Sequence, residues 1–180
     1  FAKFVADSGL IFIGPDPDTI RLMGDKAESK KMMIDAGVPT IPGSDGELSG
    51  NIDAIARGIG YPLMVKAAAG GGGKGMRVVS SPDDLESALE AAKNEARNSF
   101  GNDTLILEKF LENPRHIEVQ ILGDNFGNII HLYERECSIQ RRHQKIIEES
   151  PSPAINNKIR KMMGDAAIKA ARVANYKNAG

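Results

Sequence analysis

Only one cysteine, Cys137, stands among the 180 residues, so no internal disulfide is possible and a reducing compartment fits. Excess charge is missing as well. With 23 Lys and Arg against 24 Asp and Glu, the formal net charge is -1, which excludes a global basic field for nucleic acid. No apolar run approaches the roughly 20 residues needed to span a bilayer. A secretory signal pattern is not visible either. What remains, 41% hydrophobic and 26% charged residues, is an ordinary soluble globular mixture, enough for one or two small domains.

Glycine is the residue the chain concentrates. The stretch Lys66-Ala-Ala-Ala-Gly-Gly-Gly-Gly-Lys-Gly-Met-Arg-Val-Val79 lies between two short apolar runs that read as strands, Tyr61–Lys66 and Met76–Ser80. Glycines let backbone N–H groups approach an anion closely, and Lys66 and Lys74 add charge. Gly70, Gly72 and Gly75 match G-x-G-x-x-G, but the dinucleotide reading requires the loop to open a helix. Here it opens into β-branched Val78 and Val79. The P-loop pattern fails too, because Gly75, not Ser or Thr, follows Lys74. Two readings stay open: a glycine-rich hairpin closing over polyphosphate, and a flexible surface turn.

Along the first half, Phe1–Gly9 reads as the last turns of a helix capped by Gly9, and Leu10–Ile13 as a short buried strand. Pro17–Met23 predicts a brief helix. Asp25 is placed to N-cap the next one, which carries Ala27, Met32, Met33 and Ala36 and stops at Gly37. After a Pro/Gly-rich linker over 38–46, a helix is expected over Asn51–Ile59. Another is expected from Ser81 as N-cap with Pro82 in first position, with the stripe Leu85, Ala88, Leu89, Ala92 and Ala96. Thr104–Leu111 predicts a strand. Residues 38–110 then make a small α+β unit with the glycine flap at one edge.

The second half alternates. Ile117, Val119 and Ile121 point one way and His116, Glu118 and Gln120 the other. A hairpin turn is expected at Asp124–Asn128, strands over Ile129–Glu136 and Ile146–Ser150, and a closing helix from about Asn156 to Ala174. The polar face of such a sheet is either solvated or the floor of a charged site. Arg141, Arg142, His143 and Lys145 beside Glu134 and Glu136 favour a site for anionic substrates.

The segments Ile13-Gly-Pro15, Leu22–Lys26, Gly37-Val-Pro39, Pro42-Gly-Ser44, Gly60-Tyr-Pro62, Lys66 with Gly70–Met76, Glu112–Glu118 and Glu134–Lys145 together resemble biotin carboxylase. That is the ATP-grasp component of biotin-dependent acetyl-CoA, propionyl-CoA and pyruvate carboxylases. Gln140-Arg-Arg-His-Gln-Lys145 is the most specific part. The resemblance implies an α/β (α+β) ATP-grasp fold in three parts: 1–37 ending an N-terminal subdomain, 38–110 the lid, and 111–180 beginning a C-terminal subdomain. Since the family domain is much longer, an excised piece is expected.

By that resemblance, Lys26 and Lys66 contact the ATP phosphates, and Gly72 and Gly73 lie in the phosphate flap. The strand Glu108, Lys109, Phe110 and Leu111 reads the adenine edge through its backbone, and Met76 packs on the base. His116, His143 and Gln140 line the nucleotide pocket. Lys145 lies beside bicarbonate and the γ-phosphate as the catalytic group. Apart from the family, Lys26 reads as a surface lysine, Met76 as core, and the histidines equally as surface or as site residues. Lys66, in an apolar strand, is unusual unless paired. Cys137 reads as a small buried residue rather than a nucleophile.

The implied reaction uses ATP and magnesium, with manganese as a substitute, to form carboxyphosphate from bicarbonate. Carrier-bound biotin then takes up CO2. The implied partners are a biotinylated carrier domain, a carboxyltransferase component and further copies of the parent, with no nucleic acid or membrane. The expected location is cytoplasmic, or the mitochondrial matrix in a eukaryote. The family's magnesium-holding acids lie beyond Gly180, so no metal ligand is expected within the chain and the piece alone is expected to be inactive. The alternatives are another ATP-grasp ligase, such as a carbamoyl-phosphate synthetase, and a nucleotide-binding module without catalysis.

Overall fold

The structure is a computed structural model that describes residues 1–44, 46–70, 75–142 and 144–179. In chain order its elements are α1 (Ala2–Asp7), α2 (Pro17–Gly24), α3 (Lys26–Asp35), α4 (Ile52–Ile59), β1 (Leu63–Ala67), β2 (Arg77–Val79), a 3-10 turn (Pro82–Asp84) and α5 (Leu85–Phe100). There follow β3 (Leu105–Lys109), β4 (Ile117–Gly123), β5 (Ile129–Arg141), β6 (Gln144–Glu149), α6 (Asn157–Val173) and β7 (Asn178–Ala179). Two compact units result. One comprises Gly24–Asp35 and Pro39–Glu112; the other comprises Phe1–Met23, Ala36–Val38 and Asn113–Gly180.

The first of these is built on an antiparallel sheet in the order β2-β1-β3. Strand alternation gives each face its own job. Leu63, Val65, Val79, Leu105 and Leu107 are buried against Ala56 of α4 and Leu85 and Ala92 of α5. Each of the leucine and valine side chains contributes roughly 1.5–3 kcal/mol through apolar burial. The stripe predicted for α5 is the one it buries: Leu85, Ala92 and Ala96 are inside, with Ala88 and Leu89 half-buried against the core. Helix ends follow their caps. Asn51 Oδ1 accepts from Ala54 N at 3.0 Å, and Gly101, at φ +68°, closes α5. Ser81 precedes the turn as its N-cap, with Pro82 first, but its side chain makes no capping bond. Its hydroxyl donates to Asp84 Oδ2 at 2.8 Å, the segment winds as a 3-10 turn, and the α-helix begins at Leu85.

The opposite face of this sheet carries Met64, Lys66, Ile106 and Glu108, and meets α3, whose Ala27 clusters with Ala68 and Ile106. The expected linker is pinned to the sheet. Ser44 N donates to Leu107 O at 2.8 Å, Lys109 N donates to Pro42 O at 2.7 Å, and Gly43 bridges Glu108. Gly43 has to be glycine: a Cβ there would lie 2.2 Å from Leu107 O and 2.5 Å from Lys30 Nζ.

In the other unit the antiparallel sheet has the order β6-β5-β4-β7, and α6 packs over β4 and β5. The predicted turn is formed by Asp124, whose Oδ1 accepts from Phe126 N and Asn128 N at 2.8 and 2.9 Å. Asn156 caps α6 by accepting from Ile159 N at 3.0 Å. β5 runs on to Arg141, five residues beyond the expected end. Two expectations need correction. Leu10–Ile13 is neither strand nor buried: Ile11 is 92% exposed and, among the described residues, no strand pairs with the run. A strand needs a hydrogen-bonded neighbour, and apolar composition cannot supply one. Glu134 and Glu136 do not share the polar face. Paired with Val119 and Ile117, they lie on the other side of the sheet and are buried. Arg160 Nε of α6 donates to both Glu134 oxygens at 2.8 and 3.0 Å. Arg115 Nη1 and Ser138 Oγ donate to Glu136 at 2.8 and 2.9 Å, and Ser152 Oγ does so too.

Candidate functional site

Lysine gathers on the α3 side of the first sheet. The Asp25 carboxylate accepts from Ala27 N at 2.9 Å and Glu28 N at 3.0 Å, and so starts α3 at Lys26. Lys26 and Lys30, one turn apart, share a helix face. Lys66 on β1 sits diagonally from Glu108 on β3. Glu108 uses both oxygens: Oε1 lies 3.2 Å from Lys30 Nζ and Oε2 lies 2.5 Å from Lys66 Nζ. Burial pushes the Glu108 carboxyl up, but the Lys66 hydrogen bond and the charges of Lys66 and Lys30 outweigh it and hold it below the usual range. Lys26 Nζ donates to the carbonyls of Ala68 and Gly70, and burial followed by the Lys66 charge depresses its pKa. Two lysines therefore hold one carboxylate, and a third stands beside Gly70 with Asp25 near it, which leaves a cationic surplus of one.

That segment's ends are ordered by glycine. Gly70 and Gly75 have φ of +80° and +69°, and Gly75 O accepts from Ala67 N at 3.1 Å. Met76 is half-buried just beyond. Further along β3, Lys109 turns its amine to the carbonyls of Gly60 and Tyr61 at 3.2 and 2.8 Å, while Phe110 N donates to Pro62 O and Leu111 is exposed. Gly72, Gly73 and His143 lie outside the described residues.

The second unit brings His116, Gln140 and Lys145 onto one sheet. Gln140 Nε2 lies 2.7 Å from His116 Nδ1 and donates to Cys137 O at 2.7 Å. Lys145 donates to Glu118, which also accepts from Arg135 Nε at 2.7 Å. The Lys145 and Arg135 hydrogen bonds hold Glu118 below the usual carboxylate range, and the bond to Glu118 raises Lys145. Cys137 is fully buried, and burial pushes its thiol up, as expected of an inert packing residue. Glu118, Cys137 and Glu148 place donor atoms within 4.8 Å of one another. They do not suit magnesium, a hard ion that takes oxygen ligands, because one donor is a buried thiol and Glu118 already serves two cations.

Lys30 and Glu118 had not been singled out from the sequence. Lys30 was foreshadowed only by its spacing from Lys26; Glu118 stood in the polar alternation without a mark.

The family of the carbamoyl-phosphate synthase L chain, ATP binding domain, matches residues 25–180. The chain belongs to this family. Within it, similarity over the full chain is to biotin carboxylases. The biotin carboxylase of Nostoc sp. is 56% identical over all of this chain and 41% of its own length. The crystal structure of biotin carboxylase from Campylobacter jejuni superposes with a TM-score of 0.94 at 51% identity, over 99% of this chain and 40% of that one. The biotin carboxylase domain of Hydrogenobacter thermophilus 2-oxoglutarate carboxylase, in complex with MgADP, ADP and bicarbonate, gives 0.92 at 49%, over 99% and 40%. The fold is that of the biotin carboxylase ATP-grasp domain, and these relatives favour that reading over carbamoyl-phosphate synthetase. The chain spans about two fifths of the length of these three relatives. Among the described residues, no helix is long and apolar enough to cross a membrane.

Proposed function

We propose that this chain supplies the phosphate grip and part of the nucleotide pocket of a biotin carboxylase. The parent would use ATP and bicarbonate to make carboxyphosphate and carboxylate biotin on a carrier domain. The observation that carries this reading is the lysine cluster around Glu108, next to the glycine-rich segment. A nucleotide triphosphate brings the negative charge that such a surplus favours. Lys26 and Lys66 would bind the phosphates, and residues 38–110 would close as a lid with Gly72 and Gly73 over them. Glu108, Lys109, Phe110, Leu111 and Met76 would frame the base. His116, His143 and Gln140 would line the pocket, and Lys145 would stabilise charge on the bicarbonate side. Exclusion of water matters because carboxyphosphate hydrolyses. Magnesium, or manganese in its place, would neutralise phosphate charge when bound. A carboxyltransferase component and self-association of the parent complete the proposal.

The test is bicarbonate-dependent ATP hydrolysis by the full-length protein, stimulated by free biotin. Lys66→Met should raise the ATP KM about 10- to 150-fold, the equivalent of one lost charge-assisted contact worth about 1.5–3 kcal/mol. Absence of ATP turnover in the wild-type parent would leave only a binding module.

A further inference from the structure

We infer that Lys30 is a positioning residue for phosphate binding, holding one oxygen of Glu108 so that the carboxylate orients Lys66 without cancelling its charge. The inference rests on the proposed contact between Lys66 and ATP phosphates. Lys30 is 7% exposed and so has no route to a ligand in solvent, whereas the Lys66 side chain is 23% exposed. The carboxylate is divided between them, Oε1 with Lys30 and Oε2 with Lys66. Two lysines on one carboxylate leave a net charge of +1, and Lys26 beside Gly70 adds a cation that the neighbouring Asp25 carboxylate offsets. Without Lys30, Glu108 and Lys66 become a neutral pair. Both oxygens would then be available to Lys66, and an incoming phosphate would have to displace the carboxylate instead of adding to a cation already in place.

The position of the Lys30 amine is set by the backbone. It passes over Gly43, where a Cβ would stand 2.5 Å from Nζ, and Gly43 is held by the bridge to Glu108 and by Ser44 N on Leu107 O. Lys30 is buried because Glu108 is buried beside it, and a buried lysine is tolerated only when paired. In the same arrangement Glu108 acts as a spacer between a hidden cation and an accessible one.

The experiment measures kcat and ATP KM for the full-length protein and its Lys66→Met, Lys30→Met, Lys30→Arg and Lys30→Met/Glu108→Gln variants. Lys30→Met should raise the ATP KM about 10-fold with kcat within about 3-fold of wild type, and Lys30→Arg should keep most of the affinity. Adding Glu108→Gln removes the carboxylate that captures Lys66 while keeping the backbone assigned to the base, so the double variant should have a lower ATP KM than Lys30→Met. A merely structural role predicts the opposite, since the second substitution takes away another buried contact. Wild-type KM in Lys30→Met, or a double variant worse than the single, overturns the inference. If Lys30→Met does not fold, the double variant decides alone, because no buried carboxylate is left without Lys30, and the Lys66 side chain, 23% exposed, still reaches solvent. A KM below that of Lys66→Met supports the inference, and one raised as far as in Lys66→Met overturns it. An unchanged KM in Lys66→Met would instead sink the phosphate assignment itself, and this inference with it.

Discussion

Arg160→Met should destabilise the β4–β5 sheet far more than a surface substitution would. The Glu134 side chain is 1% exposed, and Arg160 meets both of its oxygens, at 2.8 and 3.0 Å. Once the guanidinium is gone, the carboxylate stays buried with Ser152 N, 3.2 Å away, and Ser150 Oγ holds only the main-chain carbonyl. A neutral hydrogen bond contributes about 1 kcal/mol, whereas stranding one member of a buried pair costs about 3–5 kcal/mol. The larger effect wins. Amide hydrogen exchange in the full-length protein reads local opening without requiring two-state unfolding of the whole chain. Protection across β5 should fall by about two to three and a half orders of magnitude. The double variant Arg160→Met/Glu134→Gln should recover much of that loss, because no charge is left buried. The pH dependence has a definite sign. In the wild type burial pushes Glu134 up, but Arg160 and Ser152 N hold it below its ordinary value of 4.5. Its contribution is therefore present above that value and is lost as pH falls through the depressed folded pKa. Without Arg160 the balance shifts toward burial and the folded pKa should rise, so the penalty should be greatest at neutral pH and shrink on acidification. Protection in Arg160→Met within a few-fold of wild type, or strict additivity in the double variant, would refute the account.

Gly43→Ala should destabilise the first unit by about 1–3 kcal/mol, as overpacking does, because the nearest atom to the new methyl is the backbone carbonyl of Leu107 at 2.2 Å. Thermal unfolding monitored alongside ATP KM should show both affected, since Lys30 Nζ is the next atom met. Glu136 is held down to about 2 by the Ser152 hydroxyl first, then by Arg115 and Ser138. Its stabilising effect is complete above 4.5 and is lost between 4.5 and about 2 as pH falls. Ser152→Ala should raise its folded pKa toward the ordinary value, which carboxyl-carbon NMR titration can follow; an unmoved titration would contradict the hydrogen-bond assignment.

Much of this protein was legible in the residues themselves. Asp25, Asn51 and Asn156 mark helix starts because a side-chain oxygen answers orphan N–H groups within three residues, and no distant partner is needed. The α5 stripe and the Asp124–Asn128 turn are local in the same sense. The glycine-rich stretch and the Gln140–Lys145 segment also pointed to the family before any contact was known. What lay outside local reach was every pairing across the chain. Leu10–Ile13 has the composition of a buried strand, but burial needs a neighbour that composition does not name. Glu134 and Glu136 looked like members of a charged face until register with Val119 and Ile117 put them on the side covered by α6. Lys66 announced that it needed a partner, and only the diagonal across β1 and β3 identified Glu108. Lys30 had no signal beyond its spacing, because its meaning depends on a carboxylate 78 residues away that two other elements bring to it. Periodicity and capping are short-range physics and are written along the chain, whereas charge pairing at a buried site depends on distances that exist only once the sheets have formed.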